Sequence, residues 1–376
     1  MDRRQWLTDL ITPEQRGIEI GPYFNPLVPK KKGFNSIIID IADQAQLRAW
    51  AARDPLIPKS SIDLIEEVDL LGTSTEIAEL VATKYSLGSF DYIISSHNLE
   101  HMPDPIRFLQ SCQKVLRPTG VIALAIPDRR ACFDYFRPRS TLADWLEAYF
   151  AKRQRPSASQ VFSQHALRSY YLEDGKQLGG FTLSDDPSQI YPHDSLAAAF
   201  QSYAAFEASP NEVYQDVHCW AFTPSSLELI LRELNQLGLI QLEIQQVTAT
   251  YNCEFFIRLS NTKSKTPLSA KAFHEQRCEL LHRIHDEEAV STRRAYKDRN
   301  GALPSQTARN PSDAADWTQA AQLSHLERLR RLIGSSRSNH ALRQAKRVFR
   351  RMVPHGSRRE HAVEQALKTL LPTREP

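Results

Sequence analysis

Cysteine is scarce in this 376-residue chain: Cys112, Cys132, Cys219, Cys253 and Cys278 are scattered, odd in number and contain no C-x-x-C pair. That pattern excludes a disulfide framework and a cysteine-rich zinc site. No run approaches the roughly 18 apolar residues of a membrane-spanning helix. The opening MDRRQWLTDLITPEQ lacks the apolar core of a signal peptide. A soluble, cytoplasmic protein is the expectation. Glycine is missing where a dinucleotide-binding loop needs it: after Gly21, the G-x-G-x-x-G positions read Tyr23 and Phe24-Asn25-Pro26. So crowded a loop argues against cradling a pyrophosphate and leaves room for a ligand with ribose and no phosphate. Internal repeats and RNA-binding motifs are also lacking, and no nucleic-acid partner is expected.

What is present is an ordinary hydrophobic fraction, 41%, enough for a proper core. The length suits two domains, or one large domain with appendages. The net charge of +3 is unevenly spread, with about +11 from Asn261 onward and about −8 before it. The body is acidic and the tail basic.

Five β-rich runs precede residue 130: Gly17–Ile20, Ser36–Ile41, Ile62–Val68, Phe90–Ser95 and Val121–Ile126. Apolar runs without alternation are what strands buried on both faces look like, so a parallel sheet is expected, with helices in the intervening stretches. The first two runs deliver Glu19 and Asp40 at or near their C-terminal ends. Acidic residues there can accept hydrogen bonds from ribose hydroxyls, and Gly21 lets the first loop pass close to a ligand. Asp104–Leu116 reads as a helix, stopped by Pro118-Thr119-Gly120. Residues 131–218, rich in aromatics, Arg, Ser and Gln, read as an insertion over the sheet edge. Order returns at Thr223-Pro224, a helix start whose apolar face is Leu227, Leu231, Leu234 and Leu237, with Gly238 as its end. Two further strands, Leu239–Val247 and Cys253–Leu259, flank a hairpin turn at Tyr251-Asn252. Beyond Ser260 come a polar linker, a charged helix over Ala270–Val290, and an arginine-rich segment whose VFRRMV has basic amphipathic character.

Phe90 to Asp128, FDYIISSHNLEHMPDPIRFLQSCQKVLRPTGVIALAIPD, resembles the fourth-strand block of small-molecule methyltransferases. That block typically reads as a strand, a Ser/Asn-x-x-x-Glu-His turn, a helix, a Leu-Lys/Arg-Pro-Gly-Gly turn, a strand and a proline. With the strand order above, residues 10–260 outside the insertion resemble the class I S-adenosylmethionine-dependent methyltransferase family, methyltransferase type 11-like. EIGPYFNP, DYFRP (Asp134–Pro138) and HxWxFTPSS (His218–Ser226) are similar to a bacterial group often linked to surface glycan synthesis. The resemblance implies an α/β, Rossmann-like, seven-stranded, mostly parallel sheet with a terminal antiparallel hairpin. It divides the chain into a methyltransferase domain over 1–260, with 131–218 as a substrate cap, and a basic, partly helical C-terminal extension over 261–376.

The cofactor it implies is S-adenosyl-L-methionine. Glu19 and Gly21 match the element contacting its methionine part, Asp40 the ribose position, Asp69 the position near the adenine amino group, and Ser96 and His97 the methyl-donor pocket. The acceptor implied is a hydroxyl or amine of a small molecule or glycan. Tyr23 and Asn25 depart from the family's later glycines, and Thr119 replaces a glycine after Pro118.

His97-Asn98-Leu99-Glu100-His101 formally reads H-x-x-E-H, a zinc-peptidase pattern. It sits at a strand end, and Met102-Pro103-Asp104-Pro105 breaks any helix. No metal is expected, and Glu100 with His101 reads as a structural pair. His97 is a candidate to face the substrate. Asp128, after the fifth strand, is either a ligand-facing carboxylate or a helix cap. His165, His193 and His218 are candidates for a base that removes a hydroxyl proton, with His218 foremost because Trp220 and Phe222 follow it. Arg137, Arg139 and Arg168 suit a phosphate or sugar acid, or a solvated surface. The basic tail reads as a solvated segment or as contact with a membrane surface or lipid-linked substrate. Two rival readings remain: a catalytically degenerate scaffold for glycan assembly, and a nicotinamide-dependent oxidoreductase.

Overall fold

The computed structural model describes residues 2–208, 216–262 and 268–299. VFRRMV and the rest of the arginine-rich tail lie outside the described residues. The strands are β1 (Gly17–Ile20), β2 (Ser36–Asp40), β3 (Leu70–Leu71), β4 (Phe90–Ser96), β5 (Leu116–Pro127), β6 (Ser169–Glu173), β7 (Lys176–Leu178), β8 (Ile190–Pro192), β9 (Leu242–Val247) and β10 (Glu254–Asn261). The helices are α1 (Arg3–Thr8), α2 (Gln44–Arg53), α3 (Lys59–Ile62), α4 (Ile77–Ala82), α5 (Pro105–Val115), α6 (Leu142–Phe150), α7 (Ala158–Leu167), α8 (Leu196–Ala208), α9 (Pro224–Gln236) and α10 (Ala270–Arg299).

Seven strands form one sheet in the order β3-β2-β1-β4-β5-β10-β9. Strands β1 to β5 are mutually parallel, and β10 runs antiparallel to both β5 and β9. This is the expected Rossmann-like architecture with its terminal hairpin. The chain leaves β1 toward β2 and β3, then returns to its other side for β4 and β5. The order therefore reverses between β1 and β4, and in such sheets ligands bind beyond the carboxyl ends of the strands at that reversal.

Alternation along the strands separates two cores. Ile93 of β4 and Ile122, Leu124 and Ile126 of β5 face α4, α5 and α9. Tyr92, Ile94, Ala123 and Ala125 point to the other face, packing with Trp6 of α1 and with Leu27 and Val28 of the loop after β1. That loop is a departure from the expectation of helices between strands: β1 and β2 are joined by a single 3-10 turn, Lys30–Lys32. Gly17 is fixed by packing, because a Cβ there would fall 1.9 Å from the Tyr92 ring.

The expected strand at Ile62–Val68 is corrected. Its backbone and side chains turn to other partners: the Ile65 carbonyl accepts from Gln44 and Arg48, and Glu66 accepts from the Lys30 and Lys31 amides. The ladder with β2 forms two residues later, at Leu70–Leu71.

The α5 and α9 readings hold in detail. Asp104 accepts from the Arg107 amide, and Thr223 and Ser226 cap each other at the start of α9, with Pro224 in its first turn. Leu227, Leu231 and Leu234 are buried, whereas Leu237 is exposed; Gly238 takes φ +70°. The turn after α5 is tighter than read. Thr119 sits within β5 at φ +69°, a conformation that favours glycine.

The insertion leaves and rejoins the sheet at one place, since Asp128 bridges Phe222. Its first helix, α6, belongs to the main core through the fully buried Trp145. The remainder comprises α7, α8 and a small sheet ordered β7-β6-β8. Helix α10 packs Leu280 and Ile284 against Leu229 of α9, with Arg277 and Glu233 paired at 2.7 Å. Among the described residues, no helix is long and apolar enough to cross a membrane.

Candidate functional site

Three loops meet where the strand order reverses. Gly21, just past β1, takes φ +56°, and a Cβ there would stand 3.3 Å from the side-chain nitrogen of Asn98, just past β4. Any side chain at Gly21 would thus enter the space between the two strand ends as well as strain the backbone. Asp40 ends β2 half-buried, one carboxylate oxygen accepting from the Ile41 amide at 2.7 Å. Burial raises its pKa, against the Ile41 and Ala42 amides, which lower it. The hydroxyl of buried Ser95 has no hydrogen-bond partner. An open glycine turn, a carboxylate with spare acceptor capacity and an orphaned hydroxyl fit a nucleoside with a free diol. No α-helix follows the loop, so no helix N-terminus is aimed at a phosphate.

Glu19 is placed behind this loop. It is 3% exposed, and its two oxygens accept from the Leu27 and Val28 amides at 2.6 and 3.1 Å. Burial pushes its pKa up to about 7, opposed by those two amides. It shapes the pocket by holding the chain after Gly21. Tyr23, in place of one of the glycines, meets the neighbouring Phe24 edge-to-face, and both pack against Leu47, Ala51 and Ile57. Burial and then the charges of Asp54 and Asp40 raise the Tyr23 pKa.

Asp69 is not at the adenine position. The shift of β3 puts it before that strand, beside Ile38 of β2, where its carboxylate accepts from the Ile38 amide at 2.7 Å and Lys30 Nζ at 2.6 Å. Gly72 and Thr73 occupy the strand's far end instead. Of the two readings of Asp128, the structure takes the cap over the ligand-facing carboxylate: it is fully buried, and its carboxylate is taken by Arg130 Nε at 3.0 Å, Arg130 Nη2 at 2.6 Å, the Arg130 amide and the Thr250 hydroxyl. Four donors fill the acceptor directions of this carboxylate, and none is left facing the strand-end pocket. It caps the turn Arg129–Ala131.

His97 stands at the mouth with φ +50° and a side chain 40% exposed. Its Nε2 lies 2.8 Å from Glu254 Oε2, and Arg3 Nε lies 2.7 Å from Glu254 Oε1. Arg3 also donates to the Ser96 hydroxyl. Burial works to raise the Glu254 pKa, but His97 and Arg3 outweigh it and hold the carboxyl below its ordinary range. Glu254 and Arg3 are functional candidates that sequence reasoning missed. Neither lies in a motif, and they meet His97 only through the β5–β10 pairing and the fold-back of α1.

His218 is 5% exposed, with Nδ1 2.5 Å from Asp134 Oδ2 and Nε2 turned toward Glu100, 3.9 Å from Oε1. Burial alone would raise the Asp134 pKa; the charges of His218 and of Arg137, 2.7 Å away, bring it down to about 2. Arg137 is therefore a buried partner and not a solvated cation. His165 and His193 instead share Asp194, at 3.3 and 2.8 Å. Arg168 lies over the Phe133 ring and Arg139 pairs with Glu288. An open cavity of about 590 Å³ lined by Gly88, Lys114, Leu239 and Asn261 lies at the other end of the sheet, away from these groups.

A family model described as a methyltransferase domain matches residues 7–236. The ubiquinone biosynthesis O-methyltransferase of Haemophilus ducreyi is 37% identical over 57 residues, which is 15% of this chain and 24% of that relative. The match thus spans about a quarter of the relative's length. Among solved structures, a SAM-dependent methyltransferase from Methanosarcina mazei is 13% identical, covering 70% of this chain and 100% of that one, with a TM-score of 0.31. A putative S-adenosylmethionine-dependent methyltransferase from Listeria monocytogenes is 11% identical over 69% of this chain and 99% of its own, with a TM-score of 0.35. Likenesses this distant add nothing about substrate.

Proposed function

The chain belongs to the methyltransferase-domain family, and on that premise we propose that it is an S-adenosylmethionine-dependent enzyme that methylates a hydroxyl or amine of a small-molecule or glycan acceptor held between the strand ends and the insertion. The observation that carries this reading is the convergence of Gly21, Asp40 and Asn98 at the reversal of the strand order. When bound, S-adenosylmethionine supplies a methyl group on a positively charged sulfur, open to in-line attack. Asp40 accepts from the ribose hydroxyls, Gly21 lets the ligand approach the backbone, and Glu19 keeps the loop in place.

His97 takes the acceptor's proton. With its Nε2–H directed at Glu254, the lone pair is left on Nδ1, 3.8 Å from Glu100 Oε1 and beyond hydrogen-bond reach of it; an ionised, buried carboxylate behind an imidazole fixes both tautomer and ring orientation. Alignment of acceptor and methyl group supplies most of the acceleration. The insertion covers the acceptor and excludes water. A glycan acceptor draws support from EIGPYFNP, DYFRP and HxWxFTPSS, and a cytoplasmic location from the composition. Contact of the basic tail with a membrane surface or lipid-linked acceptor belongs to the same proposal.

The test is calorimetric titration of S-adenosylhomocysteine into the wild type and Asp40→Ala, followed by methyl-labelled donor with panels of alcohols, amines and saccharides. The wild type should bind and Asp40→Ala should bind at least about tenfold more weakly, the scale of a lost hydrogen bond to a charged group. Equal binding overturns the cofactor site. If neither protein binds, the scaffold reading takes its place.

A further inference from the structure

Beside the methyl-transfer residues lies a second constellation. Glu100 is fully buried, yet neither of its carboxylate oxygens has a hydrogen-bond partner. A carboxylate without a donor is rarely left inside a protein. Three imidazole nitrogens stand near its Oε1: the two buried-side rings, His101 Nε2 at 3.8 Å and His218 Nε2 at 3.9 Å, and His97 Nδ1 from the mouth at 3.8 Å. All three distances are too long for a hydrogen bond. The ligand-type atoms of Glu100, His101 and His218 all lie within 4.8 Å of one another.

We propose that Glu100, His101 and His218 bind one divalent transition-metal ion of the zinc class. Ligand atoms about 2.0–2.1 Å from a tetrahedral zinc ion stand roughly 3.4 Å apart, so closure shortens the two Glu100 separations by about half an ångström and the widest separation in the group by at most about 1.4 Å. Magnesium and calcium demand more oxygen ligands, whereas two imidazoles and a carboxylate suit zinc and its transition-metal neighbours. The outer contacts are of the kind that orient metal-binding imidazoles: a carboxylate on the ring nitrogen facing away from the metal. His218 Nδ1 has Asp134 at 2.5 Å, and His101 Nδ1 has Asp216 at 3.0 Å, off the line of an ideal hydrogen bond.

The two ligand-bearing segments, more than a hundred residues apart, are already stitched together. The Trp220 amide donates to the Glu100 carbonyl at 3.1 Å, Trp220 Nε1 to the Met102 carbonyl at 2.6 Å, and the His218 amide to Gln164 Oε1 at 2.6 Å. The ion would clasp the end of β4 to the return of the insertion. Three protein ligands leave a position for water or for an oxygen of the acceptor. The H-x-x-E-H motif contributes Glu100 and His101 without forming a peptidase centre, because the third member of the group is His218, while His97 gives its Nε2 to Glu254.

Metal binding is tested without the methyl donor, so its outcome is read apart from that of the proposed function. Full-length protein is stripped with chelator, dialysed and titrated with Zn²⁺ and Co²⁺, reading stoichiometry by elemental analysis and coordination by the visible Co²⁺ spectrum. One equivalent with a tetrahedral Co²⁺ spectrum is expected. Glu100→Gln and His218→Ala should each weaken binding at least tenfold, and Asp216→Asn, altering an exposed partner of His101, should weaken it by roughly 10–100-fold. His285→Ala, on the exposed face of α10, should leave it unchanged. Circular dichroism of each variant separates lost ligation from lost folding, and Asp216→Asn keeps the test open if the buried variants fail to fold. The proposal is overturned if the wild type takes up less than about a tenth of an equivalent. It is equally overturned if His285→Ala abolishes uptake, or if folded Glu100→Gln and Asp216→Asn bind as the wild type does.

Discussion

His97 Nε2 and Glu254 Oε2 lie 2.8 Å apart, so a strained residue after β4 is oriented by the first residue of β10, a strand that joins the sheet more than a hundred residues later. Replacing His97 by Ala should lower kcat by roughly 10²–10⁴-fold, the range of a general base. Glu254→Gln keeps the volume and removes the charge; it should lower kcat by about tenfold or more, while S-adenosylhomocysteine affinity stays within about threefold in both variants. Steady-state kinetics with an acceptor from the labelled-donor screen, beside calorimetry, check the split. A comparable loss of ligand affinity in His97→Ala would assign His97 to binding.

Glu19 makes a pH prediction of definite sign. Its folded pKa, about 7, lies above the ordinary 4.5, so the native state holds an extra proton between those values. Stability associated with this group is fully present below about pH 4.5 and is lost as pH rises through 7, by about 3 kcal/mol in all. Glu19→Gln removes the titration and also one acceptor for the loop amides. Denaturant unfolding of both proteins from pH 4.5 to 8 should show the wild type losing stability relative to the variant across that window. A constant difference between them would refute the buried, proton-retaining carboxyl.

Asp128→Asn separates a structural from a catalytic carboxylate. It leaves Arg130 buried without its counter-charge, and breaking such a pair costs about 3–5 kcal/mol. Thermal unfolding should shift sharply downward while kcat of the folded fraction stays within about twofold. The opposite pattern, normal stability with activity lost, would restore Asp128 as a base.

Thr119 holds a left-handed conformation within the register shift of β5, φ +69°, in a β-branched residue. The left-handed strain is about 1–2 kcal/mol, and the entropy of a glycine returns roughly 0.5–1 of that. Thr119→Gly should therefore raise stability by about 0.5–1 kcal/mol, read as a small rise in denaturation midpoint with unchanged slope.

Local pattern made much of this fold legible. The runs at β1, β2, β4 and β5 are apolar over both faces, the starts of α5 and α9 carry their caps in sequence, and Asn252 at φ +54° makes the hairpin turn where Tyr251-Asn252 was read. Strand β3 escaped because two residues leave no period, and the apolar Ile62–Val68 run before it was the stronger signal. Strand β6, read only as aromatic-rich insertion, pairs with β7 and β8 in a sheet separate from the main one. At the site, Gly21 and Asp40 are legible because a strand end and a residue type suffice to place them. The fates of Asp69 and Asp128 depend on which cation reaches them, and Glu100 meets His218 only after the insertion has folded back. Charge pairing across such distances leaves no trace in spacing.

The bridge between Asp128 and Phe222 makes the insertion a closed excursion whose two stems are neighbours, with the Arg129 amide donating to the Phe222 carbonyl at 2.8 Å. Gaining or losing such a module leaves the β5–β10 ladder in register, since the polypeptide re-enters the sheet where it left. The outer portion, α7 to α8 with its small sheet, is therefore the natural unit of exchange: relatives could trade acceptors by swapping it whole, while Trp145 and α6 stay behind to seal the core.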